Sequence, residues 1–203
     1  MSNQDPTLPS RTVAQGEKID LQQLDPTLKN LYVGVGWDLI GFEDGGIDLD
    51  LSAFLLNPQY QTREDSDFVF YNNLSGAQDA VILSGDNRTG AGDGDDEDIS
   101  VNLNAVPFDI VSIVFSLSIY DGETREQSFK NVRNCYLRIC NKDTGVEMLR
   151  FTLDDACGDS PKATALKVAE LRREGSSWHF VALGECQDGG LHDLAESYGL
   201  LVA

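Results

Sequence analysis

A chain of 203 residues with 41% hydrophobic content is long enough to bury one substantial core without metal or disulfide staples. Its 34 acidic and 15 basic residues give a formal net charge of −19. That balance argues against a nucleic-acid partner, whose phosphates require a basic surface, and against adsorption to anionic lipid.

Residues 1–14 are polar and proline-containing and read as a disordered N-terminal extension, with a single domain over 15–203. Asp5, Pro6 and Pro9 stand where a signal peptide would place apolar residues, and no apolar stretch reaches membrane-spanning length. A cytoplasmic location without direct membrane insertion is therefore expected. From Leu31 the dominant signal is period-two alternation. Leu31, Val33, Val35 and Trp37 share one face of a first strand. Ile47, Leu49, Leu51 and Ala53 share one face of a second, whose other face begins Asp48, Asp50, Ser52. Further strands are predicted over residues 68–71, 80–83, 99–103, 110–120, 134–140 and 147–153. The β-branched run at 110–120 is expected to be buried on much of both faces. Asn141-Lys-Asp-Thr-Gly145 has turn chemistry. A last hairpin joins 165–173 to 178–183, although Ala, Leu, Lys and Glu leave helix open for its first arm. Leu191, Leu194, Ala195 and Tyr198 fall at helical spacing, with Gly199 placed to end the helix. The fold class is all-β: a two-sheet β-sandwich with one or two short helices, without internal repeat or domain linker.

Four cysteines are present. Cys135 and Cys140, five apart on one strand, face opposite sides, and Cys157 and Cys186 lie in later segments. No Cys-x-x-Cys occurs, and with only His179 and His192 a zinc site has little support. The expectation is four reduced structural thiols.

The chemistry concentrates between Gly85 and Asp98. Asp86, Asp93, Asp95, Asp96, Glu97 and Asp98 share that segment with one base, Arg88, and with Gly85, Gly90, Gly92 and Gly94. Like charges about 4 Å apart repel by roughly 4 kcal/mol at an effective dielectric near 20. A compact loop of this sequence is disfavoured unless a cation sits inside it, and oxygen ligands in a flexible frame suit Ca²⁺. Asp86 to Glu97 has EF-hand length, but Arg88, Gly90 and Ala91 occupy positions three, five and six, and the flanks are strands. The Gly-Asp alternation is similar to nonapeptide calcium repeats but occurs once. A P-loop lacks its Gly-Lys-Ser/Thr, and the acids would repel phosphate. The alternative is a solvated acidic hairpin tip, which explains the charge but neither the glycine spacing nor the five further acids between Trp37 and Asp50. On a strand, Asp48 and Asp50 project from one face about 7 Å apart, able to serve one loop or simply to face solvent.

The run Gly85-Asp-Asn-Arg-Thr-Gly-Ala-Gly-Asp-Gly-Asp-Asp-Glu97 resembles the signature of the tellurium-resistance TerD family. Val33-Gly-Val-Gly-Trp-Asp38, Ile47-Asp-Leu-Asp-Leu-Ser-Ala-Phe-Leu-Leu56 and Asp67-Phe-Val-Phe-Tyr-Asn-Asn-Leu74 resemble it in the same order, as do Val106-Pro107, Ile113-Val-Phe115, Gly189-Gly-Leu191 and Tyr198-Gly199. The similarity runs from about Gln15 to Leu200. Leu83 stands where the family often has a histidine, and residues 57–66 form a polar connection outside the matched blocks. The resemblance implies a β-sandwich that binds calcium, with more than one ion, through Asp48, Asp50, Asp86, Asn87, Asp93, Asp95, Asp96 and Glu97. Asp38 lies beside that set and Asp98 outside the matched motif. It implies a non-enzymatic role in tellurite and chemical stress response, with other tellurite-resistance or stress proteins as partners and an assembly at the inner face of a membrane. Two alternatives use the same residues or a neighbouring surface. One is a metal-dependent phosphoesterase built on the carboxylate cluster, which lacks a nearby histidine, cysteine or lysine. The other is a small-ligand, nucleotide-like or tellurite-binding module, for which nothing in the sequence gathers thiols or cations.

Overall fold

Alternating side chains divide the chain into two stacked sheets. The computed structural model describes residues 10–39, 47–84, 94–153, 157–158, 160 and 162–201. One sheet has seven strands: β1 (Arg11–Val13), β3 (Asn30–Leu39), β6 (Ser75–Gly76), β7 (Val81–Leu83), β8 (Glu97–Asn102), β10 (Val132–Asn141) and β11 (Val146–Thr152). Their spatial order is β1-β11-β10-β3-β8-β7-β6. The other has six: β2 (Lys18–Asp20), β4 (Leu49–Leu56), β5 (Phe68–Val69), β9 (Ser112–Ile119), β12 (Ala165–Glu174) and β13 (Ser177–Gln187), in the order β2-β13-β12-β9-β4-β5. A short helix α1 (Leu21–Leu24) and a longer one, α2 (Gly190–Ser197), complete the fold. The two-sheet sandwich with short helices matches the class read from the sequence.

Inward residues from both sheets make the main core. Leu31, Val33, Val35 and Trp37 of β3 meet Leu49, Leu51, Ala53 and Leu55 of β4 in one buried cluster with Ile113, Phe115 and Leu117 of β9. The opposite faces of β4 and β9 are buried as well. Phe54, Leu56 and Val114 pack beneath Leu194 and Ala195 of α2 and Tyr198 just after it. This second layer explains why all eight residues of β9, its three serines included, are buried, in keeping with the burial on both faces expected of the β-branched run. It also explains why Ser52 cannot face solvent: its hydroxyl lies 2.7 Å from that of Ser116, with both residues fully buried. The segment from Ala165 is a strand, not a helix, because it is sandwiched between β9 and β13 in an antiparallel register.

Turn chemistry works as the sequence suggests. Gly145 adopts φ +72° after β10, while the Asn141 carboxamide oxygen accepts from the Asp143 and Thr144 amides. Gly199 follows α2 at φ +88°; its N–H donates to the Glu196 carbonyl, and the Leu200 N–H to that of Ala195. Together these bonds form a Schellman cap.

Two expectations are corrected. Residues 11–13 are not a disordered lead-in: they form β1, pairing in parallel with Leu149, Arg150 and Phe151 and burying Val13. Nor are all four thiols reduced, since Cys157 and Cys186 are joined in a disulfide with their Cα atoms 5.5 Å apart. The turn after β11 lies against the end of β13, within bridging reach. Cys135 and Cys140 are buried thiols outside the disulfide, with Cys135 in the inter-sheet core.

Candidate metal centre

Four consecutive acids close the acidic segment, and the first three, Asp95, Asp96 and Glu97, are each fixed to a different strand. Asp95 turns onto the outer face of the seven-stranded sheet. Its two carboxylate oxygens accept from Arg138 Nε at 2.9 and 2.8 Å, with Arg138 Nη2 in ion-pair contact with Oδ2 at 2.8 Å, and Oδ1 accepts from the Tyr136 hydroxyl at 2.9 Å. Arg138 and Tyr136 both come from β10. The Asp95 side chain is 4% exposed. Asp96 engages β3: its amide donates to the Val35 carbonyl at 2.7 Å, and its carboxylate accepts from the Trp37 amide at 2.9 Å. Glu97 crosses to the other sheet, where its Oε2 accepts from the buried Leu51 amide of β4 at 2.6 Å.

The Leu51 interaction follows from the edge geometry of β4. Even-numbered residues of β4 bond to β9, as the Tyr120 amide on the Asp48 carbonyl and the Val111 amide on the Leu56 carbonyl show. Odd-numbered amides therefore point to the other side of the strand. There β5 is short and registers only with Ala53 and Phe54. Glu97 supplies the acceptor that β5 does not reach, sparing a buried donor the cost of losing its partner, about 1–3 kcal/mol.

Glycine spacing in β3 makes room for this arrangement. A Cβ at Gly34 would fall 2.1 Å from Asp95 Oδ2, and one at Gly36 would fall 2.6 Å from the Tyr136 hydroxyl oxygen. Both glycines belong to the Val-Gly-Val-Gly-Trp run, and alternate glycines in a strand mark a surface that another group must approach closely. Tyr32 completes the socket, with Arg138 stacked over its ring.

The electrostatics of the pole favour a cation. Burial pushes the Asp96 carboxyl above its ordinary value; the Trp37 hydrogen bond opposes this, and the charges of Asp38 and Asp95 add to the rise. Asp38 stands at the exposed end of β3 and accepts from the Asn134 amide at 2.6 Å. On the outer face, burial first and then Asp95 push the Tyr136 hydroxyl up to about 12.

The candidate ligands thus have different placements. Asp96 and Glu97 are buried at the junction of β3, β4 and β8, with Asp95 directed away from them onto the opposite face. Asp48 is half-buried just before β4, and Asp50 is 6% exposed beside Leu51. Asp50 leaves β4 on the α2 side, lining a cavity of about 260 Å³ with Tyr71, Ser118 and Tyr120. Asp50 and Glu97 therefore reach adjacent residues of one strand from different sides. Asp86, Asn87 and Asp93 lie outside the described residues. Among the described residues, the acidic side chains at this pole offer oxygens, the donor set a hard divalent cation takes, and in that chemistry they suit calcium. Tyr136, Tyr32 and Asn134 were not singled out from the sequence. Only the glycine alternation at 34 and 36 pointed to something lying against β3.

A two-layer β-sandwich carrying an all-oxygen acidic pole defines the class: a candidate cation-binding domain whose site straddles both sheets. The TerD domain model matches residues 10–198, and the chain belongs to the TerD domain family. It is 43% identical over 192 residues to General stress protein 16U of Bacillus subtilis (strain 168), covering 94% of this chain and 98% of that protein. Tellurium resistance protein TerD of Serratia marcescens is 40% identical over 191 residues, with the same coverage of 94% and 98%. A crystal structure described as a homologue of telluride resistance protein (TerD) from Streptomyces coelicolor A3(2) superposes with a TM-score of 0.65 at 22% identity. It covers 83% of this chain and 95% of its own, a likeness of fold.

Proposed function

We propose that this protein is a calcium-binding, non-enzymatic domain acting in tellurite and chemical stress response within a protein assembly. The observation that carries the reading is the clustering at one pole of Asp38, Asp96 and Glu97 beside the 47–50 segment, with the Asp96 carboxyl pushed up by burial and neighbouring charge. A divalent cation relieves that repulsion and takes oxygen ligands. Among the described residues, however, the group bringing three candidate ligand atoms within 4.8 Å of one another is the exposed His192, Asp193 and Glu196, so the carboxylates of the pole would have to draw in around the ion. Bound calcium, as more than one ion, would be held by Asp96 and Glu97 at the β3–β4–β8 junction and by Asp48 and Asp50 at the start of β4, where Asp50 lies on the α2 side, with Asp86, Asn87 and Asp93 contributed by the preceding segment. It supplies charge neutralisation, and this chain's own residues supply position. Family membership and the names of the relatives support the stress-response context, and other tellurite-resistance or stress proteins are the partners it suggests, including an assembly at the inner face of a membrane. A binding role is favoured over hydrolysis by the groups that touch the carboxylates. Among the described residues these include Arg138, Tyr136, Asn134, Ser84 and backbone amides, and these groups do not titrate near neutrality as a general acid or base must.

Titration calorimetry with Ca²⁺, and thermal melting in calcium and in chelator, test the reading. The expected result is saturable binding and a melting temperature raised by calcium, with both effects lost in the Asp50→Asn/Asp96→Asn double variant. No binding heat and coincident melting curves would overturn it.

A further inference from the structure

Asp95, Asp96 and Glu97 have separate tasks, and one of them is already neutralised by the protein itself. We infer that Asp95 is a positioning residue, anchored by Arg138, that fixes the strand entry so that Asp96 and Glu97 face the ion; it is not itself an ion ligand. The inference rests on the calcium reading but makes a distinct claim, because the family signature by itself would count Asp95 among the ligands.

Four observations carry it. Both oxygens of the Asp95 carboxylate accept from Arg138 Nε, with Nη2 in ion-pair contact beside them, and Oδ1 also accepts from the Tyr136 hydroxyl, leaving little of its acceptor capacity for a metal. The side chain is almost fully covered. The socket is built for it, since Gly34 and Gly36 lack the Cβ atoms that would strike Asp95 and Tyr136. Finally, Asp95 points to the outer face of the seven-stranded sheet, whereas Glu97, two residues on, reaches the Leu51 amide of the opposite sheet. One ion cannot draw on both directions without dismantling the Arg138 pair. Arg138 is held in turn by Glu147, which also binds Arg150, so the anchor is tied into β11 as well as β10. A bidentate guanidinium–carboxylate pair suits this role because it fixes orientation as well as charge.

The test is a double-mutant cycle on Asp95→Asn and Arg138→Met, read by Ca²⁺ affinity at a temperature where all the chelated variants are folded. If Asp95 is an anchor, each single variant weakens calcium binding by about 10- to 100-fold, the usual cost of losing a group that orients a ligand. The double variant is then no weaker than either single one. Arg138→Lys should recover only part of the loss, keeping charge without the fork. If Asp95 is a ligand, Arg138→Met frees a carboxylate, so affinity holds or rises while Asp95→Asn weakens it, and the inference is overturned. Should either single variant fail to fold, Tyr136→Phe serves instead. It removes one bond to Asp95 and should weaken calcium binding if the anchor matters, whereas unchanged affinity would count against it. Melting of the same set in chelator separates the two claims. If the parent chain binds no calcium, the functional reading fails, while non-additive losses in chelator still establish the anchor and additive losses refute it.

Discussion

Neighbouring carboxylates at the acidic pole have opposite proton linkage. Asp96 is raised above 3.8, chiefly by burial, so the folded state holds its proton more tightly than the unfolded one. In chelator this group therefore costs stability at neutral pH, and the cost fades as pH falls towards 3.8. Glu147 runs the other way. The Arg150 hydrogen bond, foremost among its partners, holds it down at about 2 against an ordinary 4.5, so its contribution is complete above 4.5 and is lost as pH falls through 2. Asp96→Asn keeps an oxygen for the Trp37 amide but removes the charge. In chelator at pH 7 it should melt higher than the parent, by no more than about 2–4 °C given screening at the pole. The gap should close as the pH approaches 4. In saturating calcium at pH 7 the order should reverse, because the variant has lost a ligand. Melting curves at two pH values with and without calcium check all three statements. The sequence made Asp96 and Glu97 visible as acids but could not show that Asp95 departs from them. Side-chain direction alternates residue by residue at a strand entry, and its partner Arg138 lies 43 positions away.

Long strands were legible, as were the short β5 and β7, whereas β1, β2 and β6 were not, for one physical reason. β3, β4 and β9 each bury several side chains on an inward face, so composition records the alternation. β1, β2 and β6 have three, three and two residues and are held mainly by backbone pairing, which leaves almost no mark on residue type. β1 shows this most clearly, with one inward side chain, Val13, and a parallel ladder to β11. The disulfide was hidden similarly, since Cys157 and Cys186 are 29 residues apart and only the packing of the turn after β11 against β13 makes them neighbours. Closing a loop of that length removes unfolded-state entropy worth about 3.5 kcal/mol in the chain-entropy model. Cys157→Ser/Cys186→Ser, or the parent treated with a thiol reductant, should therefore melt about 7–14 °C lower. A reductant should leave the double variant's melting unchanged. Equal melting of parent and variant without reductant would mean the bridge contributes nothing to stability. Calcium affinity should be retained in both, because none of the candidate ligands belongs to β12 or β13.

At the scale of the molecule, a charge of −19 opposes compaction everywhere, and a bound cation must be distinguished from general screening. Two mechanisms predict stabilisation by added salt, and they differ in form. Diffuse screening grows continuously as the Debye length shrinks from about 10 Å at 0.1 M to about 3 Å at 1 M, and it makes little distinction among ions of equal valence. Site binding saturates, and contributes roughly 2.7 kcal/mol at one hundred times the dissociation constant, about 5–10 °C in a chain of this size. In chelator, NaCl should therefore raise the melting temperature gradually, in the parent and the Asp96→Asn variant alike. In 1 M NaCl, saturating calcium should still raise the parent's melting temperature by several degrees, because Asp96 and Glu97 are buried and screened far less than surface charge. It should do much less for the variant, and an equal concentration of Mg²⁺ should do less for the parent, since the smaller ion demands a stricter octahedral frame. If the calcium shift vanishes in 1 M NaCl, or Mg²⁺ reproduces it fully, the acidic pole is a screened surface and the carboxylates at the β3–β4–β8 junction do not form a calcium site.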